Sequence, residues 1–339
     1  MICPHCSQNV LQRERTGRVC GKCRRAFAFD PKTDALRLSD LRVRKLSQKL
    51  TAEGQITVTV GQLWGALARK AMWSGNGRAG ALGCLVPGLS LGSVLLAIGA
   101  SSGGVPALAA VGAGLIGLSL LVAVPMFVAG RRAKVPVTVG VFRGRTMSRW
   151  LQVYDALPPG VVDDSGPPAV TQPSGPQAAL LCQDHGVATF LAANDVPRRY
   201  GVFLATDPGQ LPPGVPVVVL HDADPAGCRL ASRVRASLPG RRVVDAGLPP
   251  RAAMNNKRAL AVRGPAPAQE TVQGLRESGG LTALELTWLA KGWSAPLLGL
   301  PPRKLLTAVT RVLERVTAPA DRRRAEAVGF LTWPGEEDR

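Results

Sequence analysis

For 52 residues, from Ala79 to Gly130, the chain has no Asp, Glu, Lys, Arg or His. Intramembrane Asp, Glu, Lys, Arg and His residues mark ion pathways and proton relays, so their absence argues against those roles for this stretch. Negative charge is scarce throughout: 23 acidic residues stand against 42 basic ones, a formal net charge of +19. Tyrosine is scarcer still, with Tyr154 and Tyr200 the only two.

What is there begins with that uncharged stretch. A bilayer core of about 30 Å takes roughly 20 apolar residues per helix, and Ser101-Ser102-Gly103-Gly104 followed by Val105-Pro106 breaks the stretch at its middle. The pattern predicts a transmembrane hairpin with spans at 79–100 and 106–130. Arg69, Lys70 and Arg78 precede it, Arg131, Arg132 and Lys134 follow it, and the turn is uncharged. By the positive-inside rule this predicts a two-span protein of the inner (plasma) membrane with both termini cytoplasmic. Gly88-x-x-x-Gly92 and Ala113-x-x-x-Gly117 put small residues where two helices would pack closely. The hairpin reads as an anchor.

The basic excess is spread unevenly, with 15 basic against 5 acidic residues in 1–78, 6 against 3 in 131–177 and 21 against 15 in 178–339. Such a balance fits nucleic acid or anionic lipid headgroups as a partner. At the N-terminus, Cys3-Pro4-His5-Cys6 and Cys20-Gly21-Lys22-Cys23 form two knuckles separated by 13 residues. Two thiolates on each tight turn complete a tetrahedral sulfur site for zinc, and the segment 1–30 resembles a zinc ribbon. A closed four-Cys site is structural, and metal binding supplies folding energy that so short a segment lacks. His5 reads as a neighbour of the site and not as a ligand.

Residues 31–78 form a small helical, juxtamembrane region. A helix is predicted over Ser39–Leu50 and a short strand over Gln55–Thr59, with a capping box at Thr59-x-x-Gln62 opening a helix through Leu63, Trp64 and Leu67. With Arg42, Arg44, Lys45 and Lys49 it reads either as part of a winged-helix DNA reader or as a packed subdomain facing lipid phosphates. In 131–177, Gly140–Ala156 is amphipathic, with Met147, Trp150, Leu151 and Tyr154 on one side, and Leu157–Gln177 is a Pro/Gly-rich linker.

From Ala178 short apolar runs alternate with helical stretches, the mark of an α/β sheet. Strands are predicted at Ala178–Cys182, Gly201–Ala205, Pro216–Leu220 and Arg242–Val244, with helices at Val187–Ala193 and Arg229–Leu238. The most apolar strand ends in His221-Asp222-Ala223-Asp224-Pro225-Ala226-Gly227. Two carboxylates two residues apart at a strand's carboxyl end point the same way and can hold Mg²⁺. His221 reads as a strand-end packing or capping residue, and Cys182 and Cys228 as small buried apolar ones.

This stretch, about 178–250, resembles the Toprim domain, and its Asp222-x-Asp224-Pro225-x-Gly227 is closest in form to the topoisomerase VI A subunit. The resemblance implies a divalent metal on Asp222 and Asp224 and phosphodiester chemistry on nucleic acid. Where that family has a metal-binding glutamate, this chain has Gln183, with Asp184 beside it as the acidic candidate. The family's nucleophilic tyrosine has no counterpart, since the stretch from Thr59 to Gly65 contains none; covalent tyrosyl chemistry is not expected. Residues 251–339 read as helical, with a capping box at Thr282-x-x-Glu285. Their apolar stripe of Leu305, Leu306, Val309, Val312, Leu313 and Val316 is either core or a contact for a protein partner.

The expected fold class is therefore multi-domain α/β: zinc ribbon, transmembrane hairpin, and a C-terminal Toprim-like α/β domain followed by helices. The expected function is nucleic-acid binding or processing near a membrane with Asp222, Asp224 and Asp184 as the catalytic candidates. Its rival is a non-catalytic scaffold.

Overall fold

The computed structural model describes the backbone of residues 1–73, 76–101, 106–130, 137–256 and 259–318, and their side chains except at 71–73, 76–85, 101, 106 and 123–130. The chain forms two compact units, Met1–Leu67 with Val137–Arg339, and Ala68–Pro136.

The first unit opens on two knuckles, each closed by an antiparallel bridge, Ile2 with Asn9 and Val19 with Ala26. Helix α1 (Asp40–Leu50) follows. Of the predicted strand at Gln55–Thr59 only β1 (Val58–Thr59) forms. The capping box opens α2 (Val60–Trp73) as expected: the Thr59 N–H donates to the Gln62 side chain at 3.1 Å, and the Gln62 N–H donates to Thr59 Oγ1 at 3.2 Å.

The second unit is a helical hairpin, α3 (Asn76–Ser101) packed on α4 (Pro106–Gly130). Gly88 and Gly92 let the helices meet: a Cβ on either would lie within 3 Å of Ser119 or Ile116. Gly117, by contrast, faces open space, so the second small-residue motif is not part of the contact. Among the described residues no helix is long and apolar enough to cross a membrane. The two-span inner-membrane expectation is corrected accordingly, and α3 and α4 stand as a packed helix pair. Arg78, Arg131, Arg132 and Lys134, which oriented the predicted spans, have no described side chains.

The first unit resumes with α5 (Val139–Val141), a π-helical stretch Phe142–Met147 and α6 (Ser148–Tyr154). Met147 and Trp150 are buried from this amphipathic run, whereas Leu151 is exposed. Trp150 stacks on Phe29 with ring centroids 6.1 Å apart, which joins the knuckle segment to α6. The predicted linker is not free: β2 (Val161–Val162) pairs in parallel with β1.

Next come β3 (Ala178–Cys182), α7 (His185–Ala193), α8 (Val196–Tyr200), β4 (Val202–Ala205), β5 (Val217–Leu220), α9 (Pro225–Ser237) and β6 (Val243–Asp245). The four strands form one parallel sheet in the order β4-β3-β5-β6. Side-chain alternation sorts its residues into two layers. Leu180, Cys182, Val218 and Leu220 pack under α7 and under the last helix, while Ala179, Leu181, Val217 and Val219 pack against Leu230, Ala231 and Val234 of α9. The chain ends its described course with α10 (Pro250–Asn255), β7 (Val262–Arg263), α11 (Gln269–Glu277), α12 (Ala283–Ala290), β8 (Trp293–Ser294) and α13 (Pro302–Thr317). Leu305, Val309, Leu313 and Val316 of α13 are core, so this stripe is spent inside the fold.

Candidate metal centre and the carboxyl edge of the sheet

Cys3, Cys6, Cys20 and Cys23 bring their sulfurs within 4.8 Å of one another. Cys3 and Cys23 lie 3.8 Å apart and Cys6 and Cys20 3.9 Å apart. A tetrahedron with metal–sulfur bonds of about 2.3 Å has edges of about 3.8 Å, which the Cys3–Cys23 and Cys6–Cys20 separations match, so the quartet could hold a zinc-sized ion. The residue after each second cysteine, Ser7 (φ 57) and Arg24 (φ 58), takes the left-handed conformation that closes the knuckle. Backbone N–H groups of Cys23 and Lys22 draw the Cys20 thiol down to about 7, while burial pushes Cys3 up to about 11. His5 turns away, its Nε2 donating to the Ala26 carbonyl at 2.8 Å.

Behind the quartet, Asp40 at the start of α1 accepts the Ala28 and Phe29 N–H groups at 2.8 Å each and the Tyr154 hydroxyl. Arg15 and Asp30 make a buried ion pair at 2.9 Å. The Arg44 guanidinium lies 4.8 Å from the Tyr154 ring centroid. These contacts seat the knuckles on α1 and α6 as one block.

The strand order reverses between β3 and β5, and a crevice at such a switch point is where open α/β sheets place ligands. Asp184 and Asp222 follow those two strands. Each of the three carboxylates there has a structural partner. Asp184 caps α7 by accepting the Val187 N–H at 2.9 Å, Asp224 caps α9 by accepting the Gly227 N–H at 2.6 Å, and Asp222 accepts the Leu297 N–H at 2.8 Å. Burial, with Asp184 and Asp224 adding repulsion, pushes Asp222 up to about 7. Gln183 is exposed. Among the described residues the cysteine quartet is the one group of three or more His, Cys, Asp or Glu side chains gathered closely enough for an ion. Magnesium on Asp222 and Asp224 thus has no support here.

Three arrangements escaped the sequence. First, Arg143 in the π-helical stretch forms a two-pronged ion pair with buried Asp164, at 2.8 and 2.7 Å. Gly61 and Gly186 hem it in, since a Cβ on either would meet Asp164 Oδ2 at 2.7 Å. Second, His221 is bonded on both ring nitrogens, Nδ1 to the Asp222 carbonyl at 2.7 Å and Nε2 to Asp245 Oδ1 at 3.0 Å. Third, Lys45 and Lys49 of α1 and Arg303 of α13 line a cavity of about 940 Å³. Its rim includes Ala52, Glu53 and Gly54, all left-handed at φ 51, 61 and 92. Pairs this far apart in sequence leave no periodic signal; the lysines alone were visible as a basic helix face.

No family model, curated protein or solved structure matches the chain. The resemblance to the Toprim domain and to the topoisomerase VI A subunit is corrected by that result. A parallel sheet with Asp-capped helices after β3 and β5 accounts for the order of elements and for the acidic motif.

Proposed function

We propose that this chain is a zinc-stabilised, non-catalytic nucleic-acid-binding protein that grips the phosphate backbone. The observation that carries the reading is the cavity where Lys45, Lys49 and Arg303 converge. From it α13 extends the positive surface, with Arg303, Arg311 and Arg315 exposed at intervals of about 12 and 6 Å along the helix axis. A nucleic-acid strand carries one charge per about 3.4 Å of axis, so several phosphates can be met at once. No aromatic residue lines the cavity, which favours backbone contact over base stacking. Zinc is the ion assigned to the cysteine quartet, with the role of holding the knuckle block against α1. Asp184 and Asp224 at the sheet's edge are engaged as helix caps and Asp222 as acceptor of the Leu297 N–H, which supports binding over cleavage.

Fluorescence anisotropy with duplex and single-stranded oligonucleotides tests this. Binding is expected to weaken steeply with salt, and Lys45→Ala, Lys49→Ala, Arg303→Ala together to lower the salt slope by about 3. No binding at low salt, or an unchanged slope in the triple variant, rejects the reading.

A further inference from the structure

A second cavity, about 420 Å³, opens beyond the carboxyl ends of β5 and β6. His221 forms its floor. A backbone carbonyl and a carboxylate only accept hydrogen bonds, so a ring facing the Asp222 carbonyl at 2.7 Å and Asp245 at 3.0 Å carries both protons. Both contacts favour the imidazolium form. Arg235 of α9 and Arg251 of α10 line it, and Ser232 and Ser278 add hydroxyls. At the rim Gly279 and Gly280 have φ of 65° and 81°, with nothing within 4 Å of the place a Cβ would take.

The lining's two carboxylates are already occupied. Asp245 Oδ1 accepts from His221 and from the Gly247 N–H, both at 3.0 Å. Glu285 accepts the Thr282 N–H and hydroxyl at 2.9 Å each and the Arg251 N–H at 3.1 Å. The Arg251 guanidinium stands 3.9 Å from Glu285, too far for a hydrogen bond. Three cations therefore face the space against two anions whose acceptors are largely used. Nor is the cavity armed for reaction. Burial, with Asp224 and Asp245 nearby, pushes the Cys228 thiol up to about 12, and an imidazolium has no lone pair with which to act as a base. What remains is recognition.

We propose that this cavity binds a phosphate monoester dianion, with Arg235 and Arg251 as the clamp and His221 as a fixed positive floor. Guanidinium groups match phosphate oxygens in pairs, and converging cations favour a dianion over singly charged anions. The dianion has two sources, a free small phosphorylated molecule or the 5′-phosphate end of a nucleic acid. The proposal does not depend on the α1–α13 cavity.

The test is calorimetric titration of the full chain with inorganic phosphate at constant ionic strength. Parallel titrations use a short oligonucleotide with and without a 5′-phosphate. Saturable phosphate binding is expected, weakened at least ten-fold by Arg235→Gln and by Arg251→Gln. Tighter binding of the 5′-phosphorylated oligonucleotide identifies a nucleic-acid end, and equal binding of both with phosphate binding retained identifies a free small molecule. Both arginines project from the surface, and thermal melts of the variants verify folding. Absence of saturable binding by the wild-type chain, or unchanged affinity in both arginine variants, overturns the proposal.

Discussion

His221 and Asp245 join the ends of two adjacent parallel strands through one hydrogen bond of 3.0 Å. Burial alone would lower the His221 pKa, but Asp245 and the Asp222 carbonyl outweigh it and the net shift is upward from 6.5. For Asp245, burial is outweighed by the bonds from His221 and the Gly247 N–H, and the net shift is downward from 3.8.

The pH dependence follows with a definite sign. The His221 contribution is complete below pH 6.5 and is lost as pH rises through the raised folded value. The Asp245 contribution is complete above pH 3.8 and is lost as pH falls through the lowered one. Asp222, raised to about 7, adds destabilisation as pH climbs from 3.8 towards that value. Urea denaturation should therefore show greater stability at about pH 5 than at about pH 8, with a smaller difference in His221→Gln. Equal stability at both pH values would contradict the imidazolium assignment.

The Arg143–Asp164 pair has a fully buried carboxylate and a guanidinium side chain 23% exposed. Removing one partner leaves the other charge uncompensated, so Asp164→Ala should cost about 3 kcal/mol. Arg143→Ala should cost a similar amount, and the double variant less than the sum. Strict additivity in the double-mutant cycle would mean that the pair contributes no coupling.

Asp184 and Asp224 act as N-caps, a task asparagine performs about as well. Asp184→Asn and Asp224→Asn should shift stability by less than ~0.5 kcal/mol, and the alanine variants should lose ~1 kcal/mol each. Magnesium titrated into the wild-type chain should leave its melting temperature unchanged. A magnesium-dependent rise abolished by the asparagine variants would restore a metal to this edge.

Metal removal bears on the knuckle block. One zinc per chain is expected by elemental analysis. Chelation should expose Phe27 and Phe29, now buried, and quench or shift the fluorescence of Trp150, which stacks on Phe29. Ser7→Gly and Arg24→Gly relieve left-handed strain and should each stabilise the holo form by about 1 kcal/mol. Full retention of the holo fluorescence after metal loss would show that the block does not need an ion.

The cysteine quartet was legible because its spacing is itself the geometry: two thiolates per turn need no distant partner. The four strands were legible as apolar runs, and Thr59–Gln62 and Thr282–Glu285 as boxes closed within four residues. Arg143–Asp164 and His221–Asp245 were not, being 21 and 24 residues apart and dependent on strand order for their meeting. The uncharged stretch misled in the other direction. Apolar composition records what a helix avoids, not what it packs on, and α3 meets α4 through Gly88 and Gly92.

One residue of the predicted linker shows how the sheet ends. The Gln172 carboxamide donates to the Leu204 carbonyl at 2.7 Å and accepts the Leu204 N–H at 3.0 Å, standing in for a neighbouring peptide unit along β4. An exposed strand edge is a template for pairing with a second chain. Here one rung of that template, at Leu204, is already filled from within. At its β4 edge the sheet is thereby guarded against added strands by a side chain from the very segment whose composition suggested only slack.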